Sequence, residues 1–99
     1  MIKDYQDLQQ LVSSAGVIFS EQNPTYQFEF SQAENGACTL LEKKSGKKFV
    51  FMLAKLGAEL KLGFAFYDAN EPQPDWIDDV LASGSTTKTL CQLLESEFV

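Results

Sequence analysis

The chain reads as an α+β domain: an N-terminal helix, a four-stranded antiparallel meander and two C-terminal helices, with at least two helices laid over one face of the sheet. Three observations predict it. Phe-x-Phe occurs three times, as Phe28-Glu29-Phe30, Phe49-Val50-Phe51 and Phe64-Ala65-Phe66, which uses six of the eight phenylalanines. Successive side chains of a strand point to opposite faces, so each triplet sends two rings to the same side of a sheet. Compact turn signals separate the apolar runs, and short turns force antiparallel neighbours. Apolar residues at three- and four-residue steps precede and follow this block.

The first helix is predicted from Lys3 to Gln22, where Leu8, Leu11, Val12, Ala15, Ile18 and Phe19 form an amphipathic stripe. Gly16 costs about 1 kcal/mol in a helix interior relative to alanine, which leaves open a break into a short Val17-Ile18-Phe19 strand. Asn23-Pro24 ends the helix in either case, because the residue before proline disfavours the helical region.

Four strands follow. Thr25 to Ser31 alternates, with Tyr26, Phe28 and Phe30 on one face and Gln27, Glu29 and Ser31 on the other. Asn35-Gly36 is a hairpin signal leading into Ala37 to Lys43. Ser45-Gly46 turns the chain into Lys48 to Lys55, and Gly57 turns it again into Glu59 to Tyr67, where Leu60, Leu62, Phe64 and Phe66 share a face. Asp68 to Pro74 is a loop. Beyond it Trp76, Ile77, Val80 and Leu81 fit a short helix capped by Asp75 and stopped at Ser83-Gly84-Ser85. Thr86 to Phe98 reads as the last helix, with Leu90, Leu93, Leu94 and Phe98 at helical spacing.

Residues 1–99 fit a single domain. A composition with 44% hydrophobic and 22% charged residues is globular. No stretch approaches the roughly 18–20 apolar residues that span a bilayer, and the opening residues lack a secretory apolar run. With only two cysteines, Cys38 and Cys91, no disulfide framework is expected. These features predict a cytoplasmic protein whose thiols act as small hydrophobes.

The missing residue types exclude much chemistry. The chain has no histidine, and its eight basic residues are all lysines. Without histidine, Ser-His-Asp triads, Cys-His pairs and most zinc hydrolase sites fall away. Without arginine there is no planar fork for bidentate recognition of phosphate or guanine, which argues against a nucleic-acid partner. No cofactor or metal site and no catalytic residue is expected.

Charge is segregated: residues 1–42 carry a net −5, residues 43–61 a net +5 and residues 62–99 a net −6. Lys43, Lys44, Lys47 and Lys48 flank the Ser45-Gly46 turn, where they solvate a hairpin tip and discourage edge pairing. Asp75, Asp78 and Asp79 sit where a helix dipole favours acids, and they form a candidate docking surface for a basic protein partner. Asp68-x-Asn70 lacks the further oxygen ligand and glycine of a calcium loop. Glu59-Leu60-Lys61, with Glu42 upstream, faintly resembles the acid-x-Lys core of metal-dependent nucleases, but 14 acids and 8 lysines in 99 residues make such a triplet common by chance.

Opposite the phenylalanine face the third and fourth predicted strands present Val50, Met52, Ala65 and Tyr67, whereas the first presents Gln27, Glu29 and Ser31. A half-apolar back face implies a cover, supplied by the third helix, by a second copy making a homodimer, or by another protein. The leading functional expectation is a small acidic protein-binding module without enzymatic activity, similar to inhibitor, immunity or adaptor proteins in size and charge only. The alternative is an apolar-ligand carrier with a cavity lined by Phe28, Phe30, Phe49, Phe51, Phe64, Phe66 and Trp76. A metal-dependent nuclease is the remote third.

Overall fold

The computed structural model describes residues 2–98, so Met1 and Val99 lie outside the described residues. Helix α1 (Tyr5–Gln22) leads into strands β1 (Phe28–Gln32), β2 (Cys38–Glu42), β3 (Lys48–Leu56), β4 (Glu59–Tyr67) and β5 (Trp76–Leu81). A 3-10 turn at Ala82–Gly84 then leads into helix α2 (Thr87–Phe98). The strands form one antiparallel sheet in the order β1-β2-β3-β4-β5.

The α+β class, the meander and the terminal helices match the expectation, but among the described residues the sheet has five strands and one helix follows it. Trp76–Leu81 is an extended edge strand, not a helix: Phe66 pairs with Trp76, Phe64 with Asp78 and Leu62 with Val80. Six residues are too few for a helix that must hold itself, whereas β4 offers a ladder of backbone partners. Trp76, Ile77 and Val80 are also strand-favouring types. The spacing misled because a run of six with apolar pairs at both ends fits either period. As a strand, the segment exposes Ile77 (70%) where a helix would have buried it.

Helix α1 runs unbroken through Gly16. Asp4 caps it by accepting from the Asp7 amide at 2.9 Å, and the Asp7 carboxylate accepts from the Lys3 amide at 2.9 Å. Leu8, Val12, Ala15 and Phe19 are buried along one stripe, and Asn23 closes the helix with its amide on the Phe19 carbonyl. Gly16 lies on the buried side, where a Cβ would stand 3.0 Å from Leu40, so the glycine lets the helix approach the sheet. At the other end Thr86 and Thr89 cap α2 reciprocally, each hydroxyl accepting from the other's amide.

Both helices cover the phenylalanine face. Phe19 of α1 meets Phe28 at 5.6 Å between ring centroids, and Phe98 of α2 meets Phe28 at 5.1 Å, Phe49 at 6.1 Å and Phe66 at 5.9 Å. Phe49, Phe51 and Leu62 are fully enclosed between sheet and helices.

Candidate functional site

With both helices on the front, the back of the sheet has no covering element among the described residues. Register places Thr39, Val50, Ala65 and Ile77 in one row across β2 to β5, and Met52, Gly63 and Asp79 in the next. The row of Lys48 and Tyr67 bounds them, with the Lys48 ammonium 4.8 Å from the Tyr67 ring centre. All four residues read as an interface, Val50, Met52, Ala65 and Tyr67, therefore share one open face. Gly63 lacks a side chain beneath Met52, whose Cγ would lie 3.5 Å from a Cβ there. The small Gly63 and Ala65 make a shallow centre flanked by Met52 (45% exposed) and Ile77.

Sequence reasoning missed Ile77, Leu56 and Leu81, all exposed on this same face. Helical spacing places Ile77 and Leu81 in a short helix, and only the alternation Ile77-x-Asp79-x-Leu81 against Trp76-x-Asp78-x-Val80 carries the signal for them. On β1 and β2 the back face is more polar, with Glu29, Ser31 and Thr39 around Leu41 and beside Lys48, and with Asp68, Asn70 and Glu71 of the β4–β5 loop around an open hollow of about 410 Å³.

The acidic trio is dispersed. Asp75 precedes β5, Asp78 points to the helix side and Asp79 to the open side, and each is exposed. They share no single surface, since adjacent strand residues diverge.

The aromatic set comes together as packing. Phe49 stacks on Phe51 at 5.7 Å and Phe66 on Trp76 at 6.0 Å, while Trp76 meets Phe64 edge-on at 5.8 Å. Open space adjoins this cluster at its rim, where Phe28, Phe30 and Leu40 form the floor of a groove of about 350 Å³ beside α1.

The nuclease-like residues are not assembled. Glu42 ends β2 on the helix side, 2% exposed, whereas Glu59 and Lys61 occupy the open side at the far end of β4. The Glu42 carboxylate instead accepts from the Gln27 and Ser45 amides, each at 2.9 Å, and so holds the entry to β1 against the β2–β3 turn. Burial pushes this carboxyl up, but the donating amides of Gln27, Ser45 and Lys44 and the Ser45 hydroxyl outweigh it and hold it below the usual range.

Among the described residues no group of three or more His, Cys, Asp or Glu converges, and no helix is long and apolar enough to cross a membrane. Cys38 is buried and Cys91 half-buried, both are free, and burial raises both thiols above their ordinary value, away from reactive thiolate. Lys43 and Lys44 are exposed at the hairpin tip, and Gly46 there adopts a φ of 78° beside Ala69 of the β4–β5 loop.

Comparison with protein-family models, with curated proteins and with solved structures finds no match to this chain.

Proposed function

We propose that this chain is a non-catalytic, cytosolic protein-binding module that associates through the open face of its sheet, and that the surface first meets a second copy of itself. The carrying observation is the one-sided placement of the helices over a sheet whose other face carries a partly apolar band, Val50, Met52, Ala65, Ile77 and Leu81, across β3, β4 and β5. Such a face costs free energy while wet, at about 25 cal/mol for each Å² of apolar area.

Charge favours a copy over a strongly basic partner. The molecule carries a net −6, yet the strand residues of this face contribute Lys48 and Lys61 against Glu29, Glu59 and Asp79, a net of −1. Two such faces can meet with little repulsion, while the bulk of the negative charge stays outside the contact. Five strands about 4.8 Å apart give each face on the order of 500–600 Å² in projection. Twice that approaches the lower bound of about 1,200 Å² for a specific interface, the size class of weak or transient association. A two-fold arrangement uses the same patch on both subunits and closes the assembly.

Light scattering over a concentration series tests this. The wild type should pass from monomer to dimer as its concentration rises through the micromolar range, and Met52→Lys should remain a folded monomer because each lysine meets its own copy. A wild type that stays monomeric at high micromolar concentration would sink the reading.

A further inference from the structure

The two sides of β1 are assigned by hydrogen bonds just beyond its ends. The Lys43 amide donates to the Gln27 carbonyl at 2.8 Å, and the Ala33 amide to the Ala37 carbonyl at 2.9 Å. Backbone groups of an antiparallel strand alternate between its two sides. Gln27, Glu29, Ser31 and Ala33 therefore face β2, and the N–H and C=O groups of Phe28, Phe30 and Gln32 face outward. Among the described residues no strand lies beyond β1, so these form an open row.

A groove runs alongside that row. Gly16, Val17, Ser20 and Glu21 of α1 form its wall, and Phe28 and Phe30 its floor. Val17 is 55% exposed there, an apolar side chain left largely to solvent. Unpaired amides and carbonyls beside an apolar trough match an extended peptide, whose backbone meets the row while every second side chain enters the trough. We propose that the β1 edge and the α1 groove bind an extended segment of a partner protein as a sixth strand, apolar at alternate positions, with a basic residue attracted to Glu21.

The opposite edge is built differently. Asp78 and Asp79 place a carboxylate on each face of β5, a device that discourages strand addition. On β1 the single charge, Glu29, lies on the face away from the groove. A second copy pairing β1 to β1 would not fill the trough, because its own Phe28 is committed to Phe19 and Phe98 at 5.6 and 5.1 Å. An independent segment has front-face side chains to spare. The inference names a partner class for the protein-binding reading but uses a different surface from the open sheet face.

Selection of a linear peptide phage library on the immobilised full chain provides the probe, followed by synthesis of the enriched sequence. The expected consensus is apolar at every second position with a Lys or Arg. Its binding should protect the Phe28, Phe30 and Gln32 amides from hydrogen exchange and leave Glu29 and Ser31, already bonded to β2, unchanged. Gln32→Pro removes one outward N–H at a position where an edge strand tolerates proline, and should weaken binding about tenfold. Val17→Lys, exposed on α1, should weaken it independently, with both variants keeping the wild-type circular dichroism. A library without an alternating consensus overturns the proposal, as does a peptide that leaves the three amides unprotected, or one that perturbs Met52 and Ile77 instead. The dimer is read on peptide-free protein by light scattering, so either result can fail while the other stands.

Discussion

The Tyr5 hydroxyl donates to the Leu53 carbonyl at 3.1 Å and accepts from the Leu53 amide at 3.2 Å. Leu53 faces the side of β3 where β2 has already ended, since β2 stops at Cys38 opposite Phe51. One phenol thus substitutes for the missing strand and ties the first turn of α1 to the middle of the sheet. Tyr5→Phe keeps the ring and strands both backbone groups, which should cost about 1–3 kcal/mol. Urea denaturation of the two proteins checks it, and equal midpoints would show that water replaces the hydroxyl without loss.

The same ring needs a glycine beneath it. Gly36 has a φ of 94°, and a Cβ added there would lie 2.4 Å from the Tyr5 ring. Both the left-handed backbone and the close approach oppose a side chain. Gly36→Ala should therefore destabilise by roughly 2 kcal/mol or more, beyond the fraction that a surface turn substitution costs. Gly57 supplies the comparison, because it too has positive φ, 64°, but no atom within 4 Å. If Gly36→Ala and Gly57→Ala lower the melting temperature equally, the contact with Tyr5 adds nothing to the backbone effect.

Glu42 gives the fold an acid-sensitive latch. Its folded carboxyl is held below the usual range although burial alone would raise it, because backbone amides donate to the charged form. The unfolded chain then binds the proton more readily, so this contribution is full above the ordinary glutamate range and is lost as pH falls through the lower folded value. Glu42→Gln should lower the melting temperature most at neutral pH, and the gap to wild type should narrow as pH falls below the ordinary glutamate range. A gap that stays constant with pH would mean that shape, not charge, holds the turn.

The sheet was legible where local chemistry and tertiary demand agree. Phe-x-Phe alternation, Asn35-Gly36 and Gly57 place β1 to β4 in register, and Glu59–Tyr67 has the expected bounds. The unbroken α1 was one of two readings at Gly16, and the close approach to Leu40 of β2 that accounts for a glycine there is a tertiary contact that no local pattern reveals. The open face was half legible. Val50, Met52, Ala65 and Tyr67 follow from alternation within β3 and β4, but its extension to Ile77 depends on β5 pairing with β4. That pairing satisfies the outer edge of β4, a need set by the fold and not by the six residues themselves. The outward row on β1 was equally hidden, because an edge is defined by what is absent beside it.

Ile77 and Val80 separate the two readings of that segment in solution. On a helix they would fall on one stripe, three residues apart, and a lysine at either would damage the same buried contact. On β5 they diverge: Ile77 pairs beside Ala65 on the open face, and Val80 pairs beside Leu62 on the helix side. Both are exposed, at 70% and 43%, so neither lysine should unfold the monomer. Ile77→Lys should abolish the dimer, because the two-fold arrangement brings the added charge against the partner's apolar row. Val80→Lys should leave the dimer intact, since its side chain emerges on the other side of the sheet. Light scattering reads the assembly and circular dichroism the fold. Dissociation by Val80→Lys with an unaffected Ile77→Lys would place any self-association on the helix side and refute the open face as its seat. Unfolding by both would restore the buried helix in place of β5.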